Sequence, residues 1–201
     1  MRILTIIQRL NSPKFASLKI LYMQQQKSNP NLIVLIGYMG CGKSTVGSAL
    51  ATAVGYRFID LDHFLELKHQ ATVPDLFKTK GVKAFRDLEH QALVEVLQTN
   101  TPTVLSLGGG TPCYHDNISL LQQATNKVFY LESSAAVLAA RLFPNKSSRP
   151  LIAHIQTEQE LQQFIAKHLF ERQPYYRQAN HQVDVATRDV DQLVNQIRSL
   201  L

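Results

Sequence analysis

The chain has 201 residues, 45% of them hydrophobic and 18% charged, which fits one α/β domain with its own core and excludes a disordered or fibrous protein. The net charge of +6 does not mark a nucleic-acid binder: Arg2, Arg9, Lys14 and Lys19 lie in the acid-free first 22 residues, leaving seventeen basic side chains against fifteen acidic ones. No apolar run approaches the roughly eighteen residues needed to cross a membrane, and two cysteines, Cys41 and Cys113, make no disulfide framework and suit a reduced, cytoplasmic setting.

Residues 1–22 are basic with scattered Leu and Ile, a pattern shared by organellar import leaders and weak amphipathic helices. The plainer expectation is a dispensable extension over residues 1–30, with Met23 as the working start and a polar leader ahead of the first strand. The apolar run 32–36 reads as that strand, and a helix from Ser44 ends before Gly55, a natural C-cap. Residues 56–60 read as strand two, and helical segments follow over 63–69, 74–79 and 82–98, punctuated by Pro74 and Gly81. A short buried strand covers 103–107, a helix 115–124, a strand 127–131 and a helix 134–142. The breaker-rich stretch 144–150 reads as a loop. A long helix covers 157–178 with Leu161, Phe164, Ile165, Leu169 and Phe170 as its apolar residues; strand 182–186 and helix 189–200 close the chain. Strand and helix alternate throughout, so the expected fold is α/β, with helices on both faces of a central five-stranded parallel sheet.

Residues 37–45 carry the pattern GxxxxGK[ST] between a strand and a helix, the setting that gives it a phosphate-binding meaning. Gly40, Cys41, Gly42, Lys43, Ser44 and Thr45 form the nucleotide-binding set, with Cys41 filling a small position. The glycines let backbone N–H groups converge on phosphate oxygens, Lys43 brings a point charge to the terminal phosphates, and the Ser44 hydroxyl is placed to ligate Mg²⁺. A helix N-terminus faces the same anion.

Strand two ends in Asp60-Leu61-Asp62, and residues two apart on a strand share a face. Both carboxylates are therefore expected at the carboxyl end of the sheet beside the phosphate loop, one toward Mg²⁺ and one toward an accepting hydroxyl. Arg86 and Glu89 stand at i and i+3 of a helix. The pair is either a surface salt bridge or an arginine held ready for a substrate carboxylate. Gly108, Gly109 and Gly110 directly follow a strand, permitting close backbone approach and positive φ. Ser106 lies where its hydroxyl can meet a metal-bound water. Arg141, Lys146, Arg149 and Arg172 are spread over the C-terminal half, and an arginine on a mobile loop suits closure over the γ-phosphate. The seven histidines show no metal-ligand spacing and read as structural or surface residues, and Tyr175-Tyr176 reads as packing.

The motifs GYMGCGKST, FIDLD, AFRDLE, LSLGGGTP, RPLI and ERQPYY, taken in order from Leu32 to Leu201, resemble shikimate kinase. That resemblance implies transfer of the ATP γ-phosphoryl group to the 3-hydroxyl of shikimate, on the route to chorismate and aromatic amino acids. It implies Mg²⁺ at Ser44 and Asp60, and Asp62 as binder of the ring hydroxyls and candidate base. Arg86, Arg172 and the backbone of Gly108, Gly109 and Gly110 would take the substrate carboxylate, with Lys43, Asp62 and Arg149 as the catalytic set. Arg149 would be the lid arginine, while Arg141 and Arg188 would lie near adenine. Residues 31–201 would form the kinase domain, with a substrate-binding insert at 63–95 and a lid at 143–155, as a cytoplasmic monomer with no nucleic-acid or membrane partner. Two rival readings stay open here. One is a related gluconate or nucleoside monophosphate kinase; the other is a non-catalytic nucleotide-binding switch.

Overall fold

The computed structural model describes residues 28–201, so the expectations for residues 1–27 lie outside the described part. In chain order the elements are β1 (Leu32–Ile36), α1 (Lys43–Val54), β2 (Arg57–Asp60), α2 (Leu61–His69) and α3 (Val73–Leu97). There follow β3 (Thr103–Ser106), α4 (Asn117–Ala124), β4 (Val128–Glu132), α5 (Ala135–Leu142), α6 (Glu158–Tyr176), β5 (His181–Asp184) and α7 (Val190–Arg198). Two 3₁₀ segments, Thr111–Cys113 and Phe143–Ser148, lie in the connections.

All five strands run parallel in the order β2-β3-β1-β4-β5, as the alternating pattern requires. Every residue of β1 is buried, so this strand is covered on both faces and sits at the centre of the sheet. The chain leaves β1 toward β2 on one side and later returns to β4 on the other. That reversal opens a crevice at the carboxyl end of β1, where open α/β sheets bind ligands. On the flanks α1 packs with α7, and α5 packs against α6. Among the described residues no helix is long and apolar enough to cross a membrane.

Local chemistry explains the boundaries. Helix α1 begins after Gly42 (φ 93°) with no side-chain cap and no acid in its first turn, so its leading N–H groups are left for a ligand. It stops at Gly55 in the left-handed region. The capping boxes Thr157/Glu160 and Asp189/Gln192 start α6 and α7. The segments expected at 74–79 and 82–98 join into α3 across a kink at Gly81 (φ 76°, ψ 169°), a region open in practice only to glycine.

Three local expectations are corrected. Asp62 is not a strand residue: the Asp60 carboxylate accepts a hydrogen bond from the Asp62 N–H and caps α2, so the chain turns helical at Leu61. The breaker-rich stretch expected as a loop is largely the 3₁₀ turn Phe143–Ser148. Phe170 is 82% exposed, because Leu161, Ile165 and Leu169, four apart, already define the inward stripe of α6 and Phe170 falls well off it.

Candidate active site

A cleft of about 370 Å³ opens at the carboxyl end of β1. Met39, Gly40, Gly42, Lys43, Ser44 and Thr45 line it from the phosphate loop, Asp60 and Asp62 from the β2–α2 junction, Ser106 through Gly109 from the end of β3, and Arg149 from the connection after α5. Gly40 (φ 80°) and Gly42 (φ 93°) hold the loop in left-handed turns. The Lys43 ammonium is buried and donates to the carbonyls of Gly37 and Tyr38, both at 2.9 Å. Cys41 belongs to the loop by sequence, but its side chain is buried and absent from the cleft lining; its thiol lies 3.8 Å from the Lys43 nitrogen.

Ser44 donates its hydroxyl hydrogen bond to Asp60 at 2.6 Å, and Asp60 stands in register with Ser106 on β3. Asp62, the second residue of α2, still reaches the cleft. Burial raises its pKa to about 6; the nearby negative charges of Asp60 and Glu89 add to the shift, and Lys43 and Arg86 oppose it. A carboxylate so placed is ionised at neutral pH yet basic enough to accept a proton.

Next to this acid lies a buried ion pair. Arg86 donates to Glu89 at 2.6 Å, with side chains 13% and 2% exposed. The other Glu89 oxygen accepts from the Thr111 hydroxyl at 2.6 Å. Rings surround the Arg86 guanidinium: its carbon lies 4.2 Å from the Tyr114 ring centroid, 5.3 Å from Phe85 and 5.4 Å from Phe77. Its Nε is buried and has no hydrogen-bond partner. A guanidinium held by a carboxylate in an aromatic cage, with its side chain still partly exposed, suits an anionic oxygen.

The three glycines serve close approach alone, since none of them has positive φ. A Cβ at Gly108 would stand 2.7 Å from an Asp62 oxygen and 3.1 Å from a Glu89 oxygen. One at Gly110 would stand 2.6 Å from an Arg86 nitrogen. Gly108 and Gly110 make room for the site's own charged side chains, and Gly109 for the phosphate-loop backbone, where a Cβ would stand 3.2 Å from the Met39 nitrogen.

Arg172 reaches the same region from α6. Its guanidinium carbon lies 5.3 Å from the Tyr38 ring centroid, and one helical turn on, Tyr176 donates its hydroxyl hydrogen bond to the Gly109 carbonyl. Tyr38 in turn pairs with His168 at 3.1 Å. Arg86, Gly110 and Arg172 do not line the cleft itself; they adjoin it through Gly108, Gly109 and Glu89. Arg141 and Arg188 stand apart from the cleft lining, bonded respectively to the carbonyls of Val185 and Asp184 at the end of β5.

Sequence reasoning overlooked Thr111, Tyr114 and Asn117 in this site and read Tyr176 as mere packing. The spacing of Arg172 and Tyr176 at i and i+4 was a usable signal for the latter. Nothing in the residue pattern marks Thr111 or Asn117, because their partners lie 22 and 27 positions away on α3.

A family model described as "Shikimate kinase" matches residues 39–201. A shikimate kinase of Flavobacterium johnsoniae is 44% identical over 169 residues, covering 84% of this chain and 98% of that protein. Another from Phocaeicola vulgatus is 44% identical over 149 residues, covering 74% of this chain and 83% of its own length. The crystal structure of shikimate kinase from Bacteroides thetaiotaomicron superposes with a TM-score of 0.79 at 35% identity, covering 84% of this chain and 97% of the other. That from Acinetobacter baumannii, solved in complex with shikimate, gives 0.76 at 32% identity, with 87% and 93% covered. With the phosphate loop, the paired acids and the caged arginine in one region, and with matches spanning most of the domain, this chain belongs to the shikimate kinase family, the ATP-dependent kinases that phosphorylate shikimate.

Proposed function

We propose that the cleft seats the ATP phosphates on Gly40, Gly42, Lys43, Ser44 and Thr45, with shikimate beside them on Asp62, Arg86, Arg172 and the backbone of Gly108, Gly109 and Gly110. The observation that carries this reading is the Arg86 guanidinium, locked by Glu89 within an aromatic cage beside the acid that shares the phosphate cleft. A carboxylate-bearing substrate pairs with that guanidinium and carries its hydroxyls toward Asp62.

Ser44 and Asp60 fit Mg²⁺: a hydroxyl and a carboxylate 2.6 Å apart are hard oxygen donors beside the phosphate loop, the sparse set that ion takes when phosphates complete its shell. When bound, the ion neutralises charge on the phosphate oxygens. The chain's residues do the remaining work. Lys43 exchanges its bonds to the Gly37 and Tyr38 carbonyls for phosphate oxygens as nucleotide enters. The substrate 3-hydroxyl oxygen attacks the γ-phosphorus, the bond to the bridging oxygen breaks, ADP leaves, and the hydroxyl proton passes to Asp62. Arg149, exposed beside the cleft, stabilises the transferring group and helps exclude water.

In this reading residues 31–201 are the kinase domain, α2 and α3 form the substrate-binding insert, residues 143–155 act as the lid, and Arg141 and Arg188 flank the adenine. The enzyme works as a cytoplasmic monomer, and residues 1–30 are dispensable. A coupled ADP-release assay offering shikimate, gluconate and AMP in turn tests the proposal. Shikimate-dependent release giving shikimate 3-phosphate is expected. Turnover of gluconate or AMP at a comparable kcat/KM, or nucleotide binding with no acceptor-dependent release, would contradict it.

A further inference from the structure

We infer that Thr111 and Asn117 are positioning residues for the substrate carboxylate, acting through Glu89 on Arg86; the inference rests on the site reading above and extends it. Arginine is long and rotamer-rich, so its fork recognises a carboxylate well only if something fixes its plane. Glu89 is what fixes it here, and each Glu89 oxygen has one partner: Arg86 on one side, the Thr111 hydroxyl on the other, both at 2.6 Å. Without the Thr111 donor the buried carboxylate is free to turn about its own axis and take the arginine with it.

Thr111 is itself immobilised. It is fully buried, and its N–H donates to the Gly108 carbonyl at 3.1 Å, so it moves with the glycine triplet. Its carbonyl accepts from the Asn117 side-chain amide at 2.8 Å. Asn117, also fully buried, is the first residue of α4. Because the amide nitrogen is committed to Thr111, the Asn117 oxygen must face His90, and it lies 2.7 Å from Nδ1. The ring therefore presents N–H at Nδ1, which both the matching neutral tautomer and the imidazolium provide. Glu89 and His90 are consecutive on α3, so the segment from Thr111 to Asn117 clamps that helix at two adjacent residues. The result is a closed polar circuit one bond removed from the substrate-facing guanidinium. None of its members beyond Glu89 touches substrate in this reading.

Steady-state kinetics of the full chain, with shikimate and ATP varied separately, decides the point. Thr111→Val removes the hydroxyl at nearly constant volume and is expected to raise KM for shikimate about tenfold, leaving kcat and KM for ATP within about twofold. Thr111→Ser restores the donor and is expected within about threefold of the unsubstituted enzyme, and Asn117→Ala is expected to raise shikimate KM about fivefold with the same split. Should Thr111→Val fail to fold, Thr111→Ala is read in the same way. Unchanged shikimate KM in Thr111→Val, or an equal rise in KM for ATP, overturns the inference and leaves Thr111 a support of the fold. Absence of shikimate turnover in the unsubstituted chain would instead overturn the site reading, and this inference with it.

Discussion

Asp62 shows how one side chain trades stability for chemistry. Its ordinary carboxyl pKa of 3.8 rises to about 6 in the fold, first through burial and then through Asp60 and Glu89. The folded state therefore holds this proton more tightly than the unfolded chain does. The stability that goes with it is complete below the unfolded value and is lost as pH climbs through about 6. Above that range the enzyme carries a destabilising buried charge, which in the proposed reaction is the form that accepts the hydroxyl proton. Asp62→Asn should accordingly lower kcat about a hundredfold while gaining about 1–3 kcal/mol of stability at pH 8. Assays paired with thermal melts check both halves, and in the unsubstituted enzyme kcat/KM for shikimate should rise with pH through about 6. The sequence located this acid by a strand argument that does not hold, since Asp62 is in the first turn of α2. It still reaches the cleft, because Asp60 must be both the last residue of β2 and the cap of that helix.

Among the elements, α6 couples the two halves of the site. Its residues His168, Arg172 and Tyr176, four apart, meet Tyr38 of the phosphate loop and Gly109 of the glycine triplet. Tyr176→Phe removes the donor to the Gly109 carbonyl. It should cost about 1–2 kcal/mol of stability and raise KM for shikimate, whereas Tyr175→Phe, at a side chain 36% exposed, should stay within about 0.5 kcal/mol. Urea denaturation of both variants, with shikimate kinetics, makes the comparison. Elements were the most legible part of the sequence. Strong periodicity, Gly55 and Pro74 gave every strand and helix of the described chain to within a few residues. The kink that joins two helical segments at Gly81 and the exposure of Phe170 follow from local backbone geometry, whereas what escaped altogether was set by contacts distant in sequence: the polar circuit through Thr111 and Asn117. Local pattern carries no information about a partner on another element.

For the molecule as a whole, the fold brings the phosphate loop after β1, the acids after β2 and the glycine triplet after β3 to one end of one sheet, because parallel strands all present their carboxyl ends on the same side. The helices α3 and α6 then deliver Arg86 and Arg172 to that end from outside the sheet. The buried Arg86–Glu89 pair, with Thr111 on the second Glu89 oxygen, fixes the guanidinium with no ligand present. In the proposed reading nucleotide and acceptor are held by separate groups in adjoining spaces. Calorimetric titration of ADP and of shikimate into Arg86→Ala and Arg172→Ala tests that separation most directly. Each variant should bind shikimate at least about thirtyfold more weakly while its affinity for ADP stays within about twofold of the unsubstituted enzyme; a parallel loss of both ligands, or shikimate affinity untouched by either change, would contradict it.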